Sequence, residues 1–325
     1  MKRIALYKYL LGGLLMVFAA ACSGSDDDNT LPSPIEDMPK TVRLTITQTA
    51  DDNSSAEARL LDGTRATLSE SGKTLAASWT ANDALTYCNL SYSPYNQGSL
   101  TATESAATSS FSGNVLCKKD DKLAVVYPAK SFTVANHILQ PYSITLSGQD
   151  GTLETLATNF HYVYGVATVT AVNETTATAT MPKMKSLLTV CKFSFIDKDN
   201  NNDITVKELK ISFSNGVTYP DVTCSANTYP QSAQVSVLDN KNNAIAQDNV
   251  HATPVAGSTP LTITLTSAST EVYVALLPTP TDATQPISFT FTVNDGTHTY
   301  SGTARAYLHE GKYVVATGLK LTKTN

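Results

Sequence analysis

The stretch richest in ligand-type side chains is Asp197-Lys198-Asp199-Asn200-Asn201-Asn202-Asp203-Ile204-Thr205-Val206-Lys207-Glu208. Counted as a twelve-residue calcium loop, positions 1, 3, 5, 7 and 12 are Asp197, Asp199, Asn201, Asp203 and Glu208, oxygen donors that suit a hard cation. Ile204 supplies the apolar eighth position. Asn202 stands at the sixth, where a glycine is expected, and asparagine tolerates a left-handed backbone. Strand patterns rather than helices flank the loop, so a polar hairpin tip is the preferred assignment and structural Ca²⁺ the rival one. Other chemistry is sparse. His137, His161, His251, His298 and His309 are scattered, and His309-Glu310 lacks the second histidine of a zinc motif. With no GxSxG and no phosphate-cradling glycine loop, no enzymatic activity is expected.

A different chemistry is written at the start of the chain. Lys2, Arg3 and Lys8 precede an apolar run, Tyr9–Ala21, that is shorter than the about 20 residues of a spanning helix and suits a signal-peptide core. The run ends Ala19-Ala20-Ala21-Cys22, with Ala19 where lipoproteins usually carry Leu. A cysteine directly after small residues fits lipoprotein processing, in which the thiol is acylated and the chain is cut just before it. The rival is an ordinary secretory signal beside a chance cysteine. Since each buried CH₂ adds about 0.8 kcal/mol, a multiply acylated Cys22 would be a stable anchor. Asp26, Asp27 and Asp28 follow, either as a solvated acidic linker or as a signal resembling the one that sends Bacteroidetes lipoproteins to the outer face of the outer membrane. Residues 1–21 are thus expected to be a signal peptide and 22–40 an acylated cysteine with a flexible acidic linker. Cys88, Cys117, Cys191 and Cys224 form no CxxC pair. Cys191 falls in phase with Phe193 and Phe195, which favours buried free thiols over Cys88–Cys117 and Cys191–Cys224 disulfides.

Charged residues make up only 16% of the 325, and the net charge is −5. With no basic patch, nucleic acid is not an expected partner. Alternation marks strands at Val42–Ile46, Leu75–Trp79, Leu85–Leu90, Ser109–Val115, Leu123–Tyr127, Ile144–Leu146 and Phe160–Thr170. Residues 50–72 look like one long exposed loop. Residues 173–185 lose amphipathicity, which puts a boundary between domains 41–180 and 181–325. Beyond it, Cys191–Phe195, Ile204–Phe213, Leu261–Leu265, Ile287–Val293, His298–Leu308 and Tyr313–Leu321 continue the pattern. A phase slip predicts a bulge near Lys207-Glu208, and Asp295-Gly296 a hairpin turn. Val272–Leu277, apolar on both faces, suggests a central strand. Short strands without long helices indicate an all-β chain of two antiparallel sandwiches.

Several short motifs resemble the fimbrillin-like family of Bacteroidales, which holds fimbrial pilins and surface adhesin lipoproteins. They are Thr64-Arg65-Ala66, Trp79 followed by Asn82-Asp83-Ala84-Leu85, Phe111-Ser112-Gly113, Val126-Tyr127-Pro128-Ala129, Leu277-Pro278 and Gly311-Lys312-Tyr313. Leu146-Ser147-Gly148-Gln149 matches a family Leu-Pro-x-x-Gln without its proline. The resemblance implies two tandem transthyretin-like sandwiches and a surface lipoprotein that acts as a pilus subunit, tip or accessory, or as a cell-adhesion protein. It also implies processing by an arginine-specific protease at Arg65, with Arg59 as the neighbouring candidate, and partnership with other fimbrial subunits by strand exchange or with a host or bacterial surface ligand. The physical reading of the motif residues is plainer: Trp79 for a core, Asp83 for a turn, Pro128 and Pro278 as strand terminators. The rival function is glycan capture for a polysaccharide uptake system, with Tyr92, Tyr95, Tyr219 and Tyr229 as an exposed aromatic platform.

Overall fold

Val42, Leu44 and Ile46 are buried while Arg43, Thr45 and Thr47 face outward, so the period-2 pattern of the first strand is realised. The structure is a computed structural model that describes residues 38–48, 67–72, 74–280 and 282–324. Cys22, Asp26, Asp27, Asp28, Arg59 and Arg65 lie outside the described residues, as does Thr64-Arg65-Ala66. The elements run β1 (Lys40–Gln48), β2 (Thr67–Ser71), β3 (Thr74–Ser78), β4 (Ala84–Asn89), β5 (Asn96–Ala102), β6 (Ser110–Cys117), β7 (Lys122–Tyr127), β8 (Val134–Ala135), β9 (Ile138–Leu139), β10 (Tyr142–Thr145), β11 (Val163–Val172), β12 (Thr176–Met181) and β13 (Lys185–Ser186). They continue with β14 (Thr189–Asp197), β15 (Val206–Phe213), β16 (Val217–Tyr219), β17 (Val222–Cys224), β18 (Ser232–Val235), β19 (Ala252–Val255), β20 (Leu261–Ser269), β21 (Val272–Leu276), β22 (Ile287–Asn294), β23 (Thr299–Ala306) and β24 (Tyr313–Lys323). Among the described residues the chain is all-β apart from short helical turns at Leu153–Phe160 and Gln247–Asn249.

In the first half the strand order is β12-β1-β6-β5-β4-β7-β11, and β11 pairs back onto β12. The sheet therefore closes into a barrel. β1 is the stave between β6, antiparallel from Lys40↔Cys117 to Thr47↔Ser110, and β12, parallel from Arg43↔Thr176 to Gln48↔Met181. The barrel core holds Leu44, Ile46, Leu85, Phe111, Leu123, Val125 and Met181. Trp79 is buried there, edge-on to Phe111 at 4.7 Å and to Tyr127 at 5.6 Å. Asp83 shapes the turn beside it, its carboxylate accepting from the Thr80 N–H at 2.7 Å. β6 crosses β5 closely at Gly113, where an added Cβ would lie 2.4 Å from the Ser99 carbonyl oxygen.

In the second half the order is β20-β15-β22-β23-β24-β14-β21. Here too the first strand, β14, runs parallel to the last, β24. Phe193, Phe195, Phe213, Phe289 and Phe291 stack through the core with ring centroids 5.1–6.4 Å apart. The predicted bulge appears where β15 slips against β20 between Val206 and Glu208. The Asp295-Gly296 turn joins β22 to β23 with Gly296 at φ +97°. Between the halves, β10 joins β18 and β19 in a small sheet, and one core runs from Val126, Tyr142 and Phe160 into the second half.

Three expectations change. Residues 50–72 are not all loop, since Thr67–Ser71 pairs with Thr74–Ser78 as a hairpin. Residues 173–185 contain β12, whose inward side chains, Ala177, Ala179 and Met181, include two too small to register as an apolar face. Val272–Leu277 is not central but an edge strand, yet its outward N–H groups are covered. Tyr273 N donates to Gly151 O (2.9 Å), Ala275 N to Gln149 Oε1 (2.7 Å) and Leu277 N to Tyr229 Oη (2.9 Å). Covering these donors removes a sticky edge.

Candidate functional site

β1 and β24 each run parallel to the strand at the other end of their own half, β12 and β14. β24 bulges between Ala316 and Leu319, where Gly318 takes φ +66° and its N–H is held by Ser194 Oγ at 2.9 Å. A left-handed glycine at a bulge bends and twists its strand. Beyond the bend β24 meets β23 at Tyr300↔Lys323 and Ser301↔Thr322, and among the described residues these are its pairings to that strand. Before it, Val314–Ala316 is not paired with Ala304–Ala306 of β23. The cleft between them holds about 100 Å³ and is floored by Phe193, Phe289 and Phe291, with Ala304, Val314 and Leu319 at its sides. Strands with an unpaired edge can accept a further strand.

The β2–β3 hairpin, which follows the Arg59–Arg65 segment in sequence, is fixed to the second half through Glu70. Its carboxylate accepts from Tyr273 Oη and Tyr313 Oη, each at 2.6 Å, and from Lys192 Nζ at 3.0 Å. Lys192 also pairs with Glu271 at 2.8 Å. Burial works against the Glu70 charge, but the bonds from Tyr273, Tyr313 and Lys192 outweigh it and hold the pKa below the usual carboxylate value. Burial and then the Glu70 carboxylate push Tyr273 up to about 12.

The loop at Asp197–Glu208 is built as a turn. Asp197 Oδ1 accepts from Asp199 N at 2.9 Å and its Oδ2 from Asn200 Nδ2 at 3.0 Å. The left-handed residue is Asn201, at φ +57°, and not Asn202. Glu208 lies in β15 and pairs with Lys210 at 3.1 Å. Among the described residues no group of three or more His, Cys, Asp or Glu is placed to hold a metal ion. Cys88, Cys117, Cys191 and Cys224 are all buried free thiols. Burial pushes Cys88 up to about 12, and burial with the nearby Asp121 carboxylate pushes Cys117 up to about 11. Neither is a reactive thiolate.

The aromatic platform does not form. Tyr219 and Tyr229 are buried, Tyr229 completely, and Tyr92 and Tyr95 are half-buried. A site that the sequence did not reveal as a whole lies nearby, with Tyr219 in its lining, where the β16–β17 turn and the loops after β18, β21 and β23 meet. It is a cavity of about 490 Å³ whose walls include Pro220, Pro254, Pro278 and Pro280. At its rim, His251 Nδ1 lies 2.9 Å from Glu310 Oε1, and Lys185 Nζ lies 2.8 Å from Glu310 Oε2. Lys185 also donates to the Asp248 and Val250 carbonyls at 2.9 and 2.7 Å. Tyr307 is 43% exposed, and its ring lies parallel to that of His309 with centroids 6.4 Å apart. His251 and His309 are 58 residues apart in sequence by their numbers, and no spacing rule joins them.

No protein-family model and no curated protein sequence matches the chain. Among solved structures, it is similar to a protein from Bacteroides uniformis assigned to cell adhesion, with 14% identity and a TM-score of 0.49 over 87% of this chain and 96% of that one. A second protein so assigned, from Bacteroides eggerthii, is 13% identical with a TM-score of 0.41 over 88% of each chain. The shaft pilin SpaA of Lactobacillus rhamnosus GG is 10% identical with a TM-score of 0.33 over 89% of this chain and 99% of that one. At these values the function has to be read from this chain's own residues.

Proposed function

We propose that the protein is a lipid-anchored surface protein of the outer membrane that serves as a fimbrial subunit at a tip or accessory position, or as a cell-adhesion protein. In this reading its two halves, 41–180 and 181–325, are tandem transthyretin-like sandwiches. Cys22 carries the lipid, Asp26, Asp27 and Asp28 direct surface export, and Arg65 or Arg59 is the processing point. The observation that carries it is the seat of β1. Val42, Leu44 and Ile46 are at most 3% exposed inside the barrel, and in sequence only residues 49–66 tie β1 to the hairpin that follows. A cut after Arg65 would leave β1 joined to the anchor and the rest of the barrel joined to β2. Losing β1 would bare the edges of β6 and β12 and forfeit about 1.5–3 kcal/mol for each of the three side chains. That groove is a place for a neighbour's strand, added through backbone pairing with apolar side chains seated at alternate positions.

The test is the N-terminus and assembly state of protein taken from the cell surface. Protein that starts at Ala66 and runs as a ladder in unheated gels gives a polymerising subunit. Protein that starts at Ala66 without a ladder gives a tip subunit. Protein that keeps acylated Cys22 and stays monomeric removes the processing step and leaves a tethered adhesin. Cys22→Ala protein that still partitions with the outer membrane like wild type would overturn the anchor. The rival, glycan capture on Tyr92, Tyr95, Tyr219 and Tyr229, loses support because the last two are core residues.

A further inference from the structure

The cavity beside Tyr307 has a chemistry that belongs neither to strand exchange nor to anchoring. We infer that it is a binding site for a neutral saccharide, which deepens the adhesive reading above by naming a ligand class. Its volume, about 490 Å³, falls among small-molecule clefts of about 300–1,000 Å³. Its wall is preformed. Thr279 N donates to Leu308 O at 2.7 Å and Leu308 N to Thr279 Oγ1 at 2.8 Å, which ties the loop after β21 to the end of β23. Pro220, Pro254, Pro278 and Pro280 fix φ at four further points of the lining. The less of such a wall that has to be ordered when a ligand arrives, the lower the cost of binding.

The lining is divided by polarity as a sugar ring is. Tyr307 and His309 offer parallel rings for the C–H face of a pyranose, and Tyr307 is pinned by its hydroxyl to the Thr284 carbonyl at 3.0 Å. Glu310 and Asp221 offer carboxylate oxygens to hydroxyl donors. Glu310 is held in place by Lys185 and His251, so its orientation is set before binding. The charge balance disfavours anionic ligands: Lys185 is already committed to Glu310 and two carbonyls, while Asp221 adds a second carboxylate to the lining. A wholly apolar ligand would strip water from Glu310 and His251 without replacing their hydrogen bonds, which costs affinity. An uncharged polyol with one apolar face satisfies both halves of the lining.

The test is saturation-transfer NMR on the intact mature chain with the methyl glycosides of glucose, galactose, mannose, fucose and N-acetylglucosamine, followed by titration of whichever binds. Binding of at least one glycoside is expected, weakened at least tenfold by Tyr307→Ala and by Glu310→Gln. Tyr92→Ala, on a half-buried tyrosine outside the cavity, should leave it unchanged. Tyr307→Phe, which keeps the ring, should retain most of the affinity and guards against a variant that merely misfolds. Absence of transfer to all five glycosides overturns the proposal, as does binding indifferent to both Tyr307→Ala and Glu310→Gln. The gel ladder and N-terminus report on strand exchange and not on this cavity, so the two readings fail separately.

Discussion

In the first half β11 turns into β12 and the two pair from Thr168↔Thr180 to Val172↔Ala177, which completes a ring through β1. The corresponding hairpin of the second half, β23 into β24, is paired at Tyr300↔Lys323 and Ser301↔Thr322 and then opens. The strand orders correspond apart from one pair: β12-β1-β6 matches β24-β14-β21 and β5-β4-β7-β11 matches β20-β15-β22-β23, but β5 pairs with β6 whereas β20 and β21 are the two edges of their sheet. One arrangement thus yields a closed barrel or an open, cleft sheet. The bulge at Thr317-Gly318 is the local cause of the cleft. The outer edge at β21 is sealed by side chains and a loop instead of by a strand. The first sheet also closes through β5–β6, at Thr101↔Ser112 and Ala102↔Phe111, a pairing that β20 and β21 do not make.

The largest expected contrast is in core truncation. Leu44→Ala in β1, at 0% exposure, should cost about 2–5 kcal/mol in denaturant unfolding. Leu319→Ala, half-buried beside the cleft, should cost well under half of that, and equal losses would mean that the second half is as tightly closed as the first. Next comes the sealed edge. Gln149→Ala leaves the Ala275 N–H and C=O buried without their partner, which should cost about 1–3 kcal/mol and raise amide exchange at Ala275. Unchanged exchange there would show that the edge is sealed by something other than Gln149. Gly318→Ala places a Cβ in a left-handed conformation at a cost of about 1–2 kcal/mol. If the variant is instead stabilised, with new amide protection at Ala304–Ala306, the bulge can be straightened and the cleft closes.

A pH dependence should separate the latch from the barrel. The Glu70 pKa is lower in the folded protein than the unfolded value of about 4.3. Its contribution is therefore complete above that pH and is lost as the pH falls through the folded value. The gap in Tm between wild type and Glu70→Gln should be open at pH 7 and narrow toward pH 3, and a gap constant over that range would remove the carboxylate as the cause. The smallest effect is expected at Asp197–Glu208. The Asp197 carboxylate already closes its own turn, so millimolar Ca²⁺ should leave the Tm in place. A rise abolished by Asp199→Ala with Asp203→Ala would restore the calcium site.

Strands were legible wherever large residues alternate. Val42–Ile46, Ile287–Val293 and Cys191–Phe195 announce their inner faces, and the slip from Val206 to Leu209 announces a bulge. β12 escaped notice because alanine and threonine barely differ in hydropathy, and β5 because Asn96-Gln97-Gly98-Ser99 carries no apolar face. The edge position of β21 was illegible because side-chain caps mimic the burial of a central strand. For the cavity, the sequence shows His251, Tyr307, His309 and Glu310 but not their convergence, which depends on how three loops end at one side of a sheet. Gln149 shows the opposite case: a motif residue visible in sequence whose purpose, capping an edge, needs three dimensions.

The parallel pairs β1–β12 and β14–β24 also set how the protein would respond to pulling. A tensile load enters each half at the start of its first strand and leaves at the end of its last. Because those two strands run side by side in the same direction, the load slides one along the other. The hydrogen bonds from Arg43↔Thr176 to Gln48↔Met181, and from Val190↔Tyr313 to Asp197↔Leu321, then bear force together rather than parting one by one from an end. A strand order that looks like a detail of topology makes each half a shear joint, with its strongest direction along its own terminal strands.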